Sequence, residues 1–235
     1  DPWMTSHYKA EGKIEYTVLN FIPSSKPFDL YEPARENRLK LYVKRVFITD
    51  NCPELVPPYL RFIRGVIDSE DLPLNISREM LQNNPVVAKI RSSLVKRTLS
   101  DLKKKLLKDR KSFESFWLNF GPVLKEGIYE DFEKKESLLE IALFKNSKSK
   151  ELISLDEYVE GMGKKQKDIY FMTGDSYENI MNNPSLEGYK SRDINVLILD
   201  DPVDSFWTSS TPLYKEKSFK SVTKGLDDLD SFDSK

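Results

Sequence analysis

The sequence has few of the residues on which metal centres, nucleophilic catalysis and disulfide frameworks depend. It contains one histidine, His7, and one cysteine, Cys52, so it offers no His–Cys or His–Asp catalytic set. A single cysteine cannot form an internal disulfide, which favours a reducing compartment. The stretch Gly161-Met162-Gly163 is too short to cradle a phosphate. We therefore interpret His7 and Cys52 as structural residues and expect no metal site.

Long apolar runs and an excess of one charge are also absent. No apolar run approaches the length of a membrane span, and no signal-peptide pattern opens the chain. The net charge of −1 over 235 residues gives no overall attraction to nucleic acid or to an anionic membrane. Charged residues make up 32% of the chain, so any electrostatic function is expected from local patches. Both ends look cut from a longer protein.

Apolar patterns along the chain predict a mixed α/β fold. The predicted elements are strands at 14–22, 39–49 and 63–67, a long helix from Pro85, helices over 112–120, over 134–144 and from Ser154, strands at 169–173 and 196–199, short helices at 176–181 and 186–190, and an edge strand at 219–222. The helix from Pro85 carries an apolar stripe and is expected to lie against the sheet. The alternation after Asp168 predicts a small βαβ subdomain with a parallel strand pair.

One arginine and one glutamine stand out beside a predicted helix start. Ser77 is the predicted N-cap, which places Arg78 at the first helical position. Gln82 follows four residues later, so both side chains are expected on one helical face. A guanidinium beside an amide suits phosphate oxygens and predicts an anionic ligand, although a surface Arg and Gln on a helix are also ordinary.

Two acidic clusters have structural interpretations. Asp68, Glu70 and Asp71 fall in one turn without a nearby histidine, which favours a solvated loop over a metal site. Asp200 and Asp201 end a predicted strand next to a proline, which favours a helix-capping turn over a nucleotide site.

The long helix is strongly basic, because residues 89–111 contain ten Lys or Arg against two Asp. Nucleic-acid binding would need aromatic or base-reading residues as well, and this segment has none. A solvated helix face is therefore favoured. The alternative is a stand-alone module that uses residues 89–111 to bind nucleic acid or an acidic protein.

The stretch DSEDLPLNISREMLQ, residues 68–82, resembles the catalytic loop in the middle domain of the heat shock protein 90 chaperone family. Long flanking phrases agree, and FWLNFGPVLKEG (116–127) in particular resembles the bacterial type more than the eukaryotic cytosolic type. These phrases are EGKIEYTVLNFIPSSKPFDL (11–30), LKLYVKRVFITD (39–50), SFWLNFGPVLKEGIYEDF (115–132) and INVLILDDPVDSFW (194–207).

The resemblance implies a mixed α/β (α+β) chain in which a larger αβα sandwich, like domain 2 of ribosomal protein S5, is joined by a helical connector to a smaller αβα subdomain. The implied divisions are 1–111 for the larger part, 112–163 for the connector, 164–224 for the smaller part and 225–235 for a disordered tail or linker. A nucleotide-binding domain is expected before this region and a dimerising domain after it.

The resemblance also implies a function. Arg78, supported by Gln82, would reach the terminal phosphate of ATP, which is held with Mg²⁺ in the preceding domain, so this fragment alone is expected to be inactive. The implied protein is a cytoplasmic homodimeric ATPase that binds unfolded or partly folded clients, with no nucleic-acid or membrane partner. The residues implied to contact a client or another domain are Phe47, Leu72, Leu74, Phe206 and Trp207.

An aromatic pair such as Phe206-Trp207 after a strand is, on general grounds, more often core than binding surface. The resemblance favours exposure, because the family uses exposed apolar residues of its small subdomain to hold clients.

Overall fold

The structure is a computed structural model that describes residues 1–32, 38–210 and 213–223. The chain forms two compact units, the first ending at Phe120 and the second beginning at Gly121. Each unit has one mixed sheet with helices, so the predicted mixed α/β class is confirmed. The predicted three-part division at 111/112 and 163/164 stays a prediction, and the expected tail at 225–235 lies outside the described residues.

The first unit is built on a five-stranded sheet with the order β1-β2-β5-β3-β4. Its strands are β1 Pro2–Ala10, β2 Tyr16–Pro23, β3 Arg38–Val43, β4 Val46–Thr49 and β5 Arg64–Ser69. Its helical elements are short 3-10 turns at Pro53–Leu55 and Pro58–Leu60, α1 Arg78–Leu81, α2 Pro85–Lys108 and the first part of α3 Arg110–Glu130. All strand pairs are antiparallel except β3–β5, which is parallel.

The predicted single strand at 39–49 is wrong, because the chain reverses within it. Lys44 and Arg45 have positive φ values of 49° and 68°, which is the backbone of a tight hairpin turn. The strands β3 and β4 therefore pair with each other, and Phe47 lies on the edge strand. The first strand, β1, was not predicted because none of its residues is fully buried and its apolar pattern is weak.

The long helix α2 lies along β1, which confirms its predicted packing on the sheet. Asn84 caps its N-terminus by accepting hydrogen bonds from the amides of Val86 and Val87. Asp101 accepts a hydrogen bond from Ser6 at 3.3 Å. Further cation–ring contacts join Arg97 to Tyr8 and Lys105 to Trp3. The buried stripe of α2 is Val87, Ile90, Leu94, Val95, Thr98, Leu99, Leu102 and Leu106.

The second unit is built on a six-stranded sheet with the order β10-β11-β8-β9-β6-β7. Its elements, after the rest of α3, are α4 Lys135–Ile141, β6 Leu143–Asn146, β7 Ile153–Ser154, α5 Leu155–Glu160, β8 Ile169–Thr173, α6 Tyr177–Met181, a 3-10 turn Pro184–Leu186, α7 Glu187–Lys190, β9 Leu197–Leu199, α8 Asp204–Ser210, β10 Leu213–Tyr214 and β11 Lys217–Ser221. The predicted parallel pair is confirmed as β8–β9. Ser154 and Glu157 form the predicted capping box.

Two details of the second unit differ from the predictions. The helix predicted over 134–144 ends at Ile141, because Ala142 has extended backbone and the buried pair Leu143–Phe144 begins β6. The predicted edge strand at 219–222 lies inside the sheet, because β11 pairs with β8 on one side and β10 on the other. Within the described residues, no helix is both long and apolar enough to cross a membrane.

Candidate functional site

The loop between β5 and α1 is fixed at its acidic start by backbone hydrogen bonds. The carboxylate of Asp71 accepts a hydrogen bond from the amide of Glu15 at 2.5 Å, and that of Asp68 accepts one from the amide of Arg45 at 3.1 Å. The buried hydroxyl of Ser69 accepts another from the amide of Leu72 at 3.3 Å. These bonds give the acidic residues a structural role in the turn. Over the described ranges, no three His, Cys, Asp or Glu side chains group as a metal site would require.

Apolar side chains anchor the rest of this loop. Leu72 is 1% exposed, Ile76 is 8% exposed and Leu81, at the end of α1, is 1% exposed. Leu74 lies between the first two anchors and is 53% exposed. The loop is therefore held at three points while its tip presents Leu74 to solvent.

Arg78 is delivered as predicted, at the first position of a capped helix. The hydroxyl of Ser77 accepts a hydrogen bond from the amide of Met80 at 3.4 Å, and Ser77 itself has extended backbone. The Arg78 side chain is exposed, and its Nη2 donates one long hydrogen bond of 3.5 Å to the carbonyl of Asn51. The guanidinium consequently has donors directed to solvent.

Gln82 lies close to Arg78 in sequence, but the predicted shared helical face is wrong. Helix α1 has only four residues, and Gln82 has extended backbone with φ −64° and ψ 132°. Asn83 follows with a positive φ of 59°. The rule that residues four apart share a helical face applies only inside a helix, so it does not place these two side chains together.

The five predicted contact residues divide into exposed and buried groups. Phe47, Leu74 and Phe206 are 50%, 53% and 63% exposed, as a contact surface requires. Leu72 and Trp207 are buried, so the predicted exposure of Trp207 is wrong and neither side chain offers a contact surface. Leu72 is a loop anchor, and Trp207 belongs to the core of the second unit.

Trp207 is held by a buried ion pair that the sequence did not indicate. Its indole donates a hydrogen bond to Asp204 at 2.7 Å, and the ammonium of Lys125 lies 2.7 Å from the same carboxylate. Lys125 also lies 2.5 Å from Asp201. Burial raises the pKa of the Asp204 carboxyl, an effect that Lys125 opposes. The Asp201–Asp204 segment is therefore structural, in agreement with the predicted turn.

Phe206 points away from this cluster and has an aromatic neighbour. Its ring centroid lies 5.8 Å from that of Tyr129, which is 43% exposed. Phe132, just after α3, is 86% exposed and contacts the ammonium of Lys135. Tyr129 and Phe132 were not predicted as contact residues, although two aromatic residues three apart near a helix end are a visible signal.

Comparison with known proteins identifies the chain's family. A family model described as Hsp90 protein matches residues 1–235. The chain belongs to the heat shock protein 90 family. It is 55% identical over 229 residues to the chaperone protein HtpG of Paramagnetospirillum magneticum, an alignment that covers 97% of this chain and 37% of the relative. Chaperone protein HtpG of Orientia tsutsugamushi is 50% identical over 234 residues, with 100% and 37% covered.

The Hsp90 relationship extends to the fold. The middle domain of a putative heat shock protein of Plasmodium falciparum matches with a TM-score of 0.82 and 32% identity, covering 96% of this chain and 89% of that one. The chain spans about 37% of the length of the curated relatives it matches. It therefore corresponds in fold to an Hsp90 middle domain.

Proposed function

We propose that Arg78 neutralises charge on the terminal phosphate of ATP bound, with Mg²⁺, in a nucleotide-binding domain of the same Hsp90 protein. The observation that carries this proposal is an exposed guanidinium at the start of a capped helix, on a loop anchored at three points. Phosphoryl transfer is catalysed mainly by positioning and charge neutralisation, and an arginine supplied from another domain is an effective source of both.

The local geometry supports delivery of Arg78 to such a phosphate. The backbone of Arg78 is fixed by the Ser77 cap and by the buried neighbours Ile76 and Leu81. The loop is therefore already ordered, and its backbone does not have to change when the side chain binds a phosphate. The one described hydrogen bond of the Arg78 side chain, to Asn51, is 3.5 Å long and is therefore weak. Exchanging this bond for two short bonds to a phosphate is favourable.

Gln82 has an auxiliary role in this proposal. It is exposed on extended backbone after α1, where its amide can support a phosphate oxygen or the attacking water. A neutral donor stabilises developing charge less than a cationic one.

The apolar contacts of the proposed chaperone are assigned to exposed side chains. Phe206 with Tyr129 forms an exposed aromatic pair in the second unit, suited to an unfolded client. Phe47 and Leu74 lie in the first unit together with the catalytic loop, and we assign them to contacts with the nucleotide domain or a client. The complete protein is proposed to act as a cytoplasmic homodimer with a C-terminal dimerising domain.

The test is steady-state ATP hydrolysis by the full-length protein. Arg78→Ala is expected to leave ATP affinity nearly unchanged and to lower turnover by about tenfold or more, because the arginine acts only when the domains close. Arg78→Lys should restore little, since it keeps the charge and loses the two-pronged geometry. Gln82→Ala should cost less than Arg78→Ala.

Turnover at the parent rate in Arg78→Ala would mean that the loop is only a structural turn. The 235-residue chain alone should neither bind ATP tightly nor hydrolyse it, and a micromolar ATP site found by calorimetric titration would contradict the composite site.

A further inference from the structure

A lysine is buried in the second unit, close to the exposed aromatic pair Phe206–Tyr129. Lys125 is 4% exposed, and its ammonium lies 2.5 Å from the carboxylate of Asp201 and 2.7 Å from that of Asp204. Lysine is almost never fully buried unless it is paired with an acidic group. The position of this ammonium is therefore set by the two carboxylates.

The carboxylate of Asp204 has further partners in the same buried network. It accepts hydrogen bonds from the indole of Trp207 at 2.7 Å and from the amide of Asp201 at 3.1 Å. Asp204 is 1% exposed and Trp207 is completely buried. Within the described residues, no buried side-chain atom of this network lacks a hydrogen-bond partner. A buried polar network that is fully satisfied makes the core around it rigid and specific.

The network joins the two helices that carry the exposed aromatic pair. Lys125 lies on α3 four residues before Tyr129, so the two side chains are neighbours on the helix surface. Phe206 lies on α8 between Asp204 and Trp207. Helix α8 has seven residues, which is too short to be stable alone, so its position depends on contacts of this kind. The spacing of 5.8 Å between the Phe206 and Tyr129 rings therefore depends on the ion pair.

Stability alone is a weak reason for a buried ion pair. Removing two charges from water costs much of the free energy that their attraction returns, and apolar side chains of similar size often stabilise a core equally well. The difference lies in geometry. Apolar contacts between α3 and α8 are compatible with several arrangements of similar energy, whereas the ammonium of Lys125 reaches both carboxylates in one arrangement.

We propose that Lys125 is a positioning residue for client binding. Its ion pairs fix α8 on α3, and this holds Phe206 and Tyr129 at the spacing that binds an apolar client segment. Two aromatic side chains held at a fixed spacing lose little conformational entropy when a client binds, which strengthens binding without an added contact. This inference rests on the proposed client role of the aromatic pair.

The test compares client binding with stability in the 235-residue chain. Lys125→Met/Asp204→Asn removes both charges and nearly preserves the size of each side chain. We expect this double variant to unfold at close to the parent urea concentration and to bind fluorescently labelled, reduced and carboxymethylated α-lactalbumin about tenfold more weakly. Nuclear Overhauser effects between the rings of Tyr129 and Phe206, expected in the parent, should be lost.

The matched control is Lys145→Met/Asp200→Asn. It removes a second ion pair of the same unit, in which nitrogen and oxygen lie 2.5 Å apart, by the same chemical change. This control should bind the unfolded probe like the parent. Lys125→Arg keeps a cation beside the two carboxylates and should bind the probe more tightly than the double variant does.

Parent-like binding of the probe by Lys125→Met/Asp204→Asn, or preserved contacts between the two rings, would overturn the proposal. Unfolding of this double variant at a much lower urea concentration would assign the network to stability and would overturn it as well. Phe206→Ser separates this inference from the proposed function. If Phe206→Ser weakens binding and the double variant does not, only the positioning role fails, whereas parent-like binding by Phe206→Ser removes the client role of the pair itself.

Discussion

Phe206 and Trp207 are adjacent in sequence, yet they are in opposite surroundings. Trp207 is fully buried and donates to a carboxylate that is paired with Lys125, whereas Phe206 is 63% exposed beside Tyr129. A helix turns by about 100° per residue, so neighbours face different directions. A client-binding role at this position can therefore belong to Phe206 but not to Trp207.

Phe206→Ser is expected to weaken capture of an unfolded test protein without unfolding the chain, because exposed aromatic anchors contribute strongly to such binding and little to stability. Trp207→Ala is the matched control and should destabilise the fold by about 3–5 kcal/mol, since it empties a core site. Aggregation-suppression assays and urea denaturation measure the two effects. Full client capture by Phe206→Ser would remove this residue from the proposed surface.

The buried thiol of Cys52 should contribute to the fall of the free energy of unfolding at alkaline pH. Burial, with a smaller effect of the nearby Glu54 carboxylate, raises the pKa of its thiol from 9.0 to about 12. Between pH 9 and 12 the thiol is deprotonated in the unfolded chain but still protonated in the folded chain. Its contribution to the free energy of unfolding is therefore fully present below pH 9 and is lost as the pH rises toward 12. Urea denaturation should show a shallower alkaline fall in Cys52→Ala than in the parent. Identical slopes from pH 9 to 12 would show that the thiol does not contribute.

The structural role of a residue was predictable from the sequence where a few neighbouring residues determine it. Ser77 was recognised as a cap and Arg78 as a helix-start cation, because both depend on a few neighbouring residues. Gln82 was misplaced because the end of α1 is set by a change of backbone at Gln82 and Asn83, which no strong local signal marks. Burial of Leu72 and Trp207 depends on partners distant in sequence, so their exposure could not be read from pattern.

At the scale of elements, α1 is too short to be stable alone and depends on its cap and its anchors. Ser77→Ala removes the acceptor for the amide of Met80 and should cost about 1 kcal/mol locally. We expect lower ATP turnover in the full-length protein with little change in overall unfolding, because the loop orients Arg78. Ser176→Ala removes the same kind of cap from α6 in the second unit, where the Ser176 hydroxyl accepts from the amide of Asn179, and should leave turnover nearly unchanged. Parent turnover in Ser77→Ala would show that the cap does not position the arginine.

Helices and strands whose apolar residues recur at a regular spacing were predicted from the sequence. Strands that exist only because they pair with another strand were not. The α2 stripe and the β8–β9 pair follow directly from sequence patterns. The β3–β4 hairpin depends on positive φ at Lys44 and Arg45, although neither residue is a glycine or asparagine. The short strand β6 exists because it pairs with β7 and β9, and a buried apolar run alone does not distinguish such a strand from a helix end.

At the scale of the whole molecule, the chain holds an anchored loop with an exposed arginine and, in its other unit, an exposed aromatic pair. Its fold is that of an Hsp90 middle domain, and the curated relatives extend well beyond it. In the proposed mechanism, Arg78 acts on the phosphate itself after the domains close. If the loop instead served only to close the domains, Arg78→Ala would lower ATP turnover to a similar extent by a different mechanism.

The most direct measurement separates closure from chemistry in the full-length protein. Closure is followed by energy transfer between dyes on the nucleotide domain and on this chain, and hydrolysis by phosphate release in a single turnover. For Arg78→Ala we predict closure at close to the parent rate and hydrolysis from the closed state slowed by about tenfold or more. Hydrolysis at the parent rate once closed, with only closure impaired, would contradict the claim that Arg78 neutralises the phosphate.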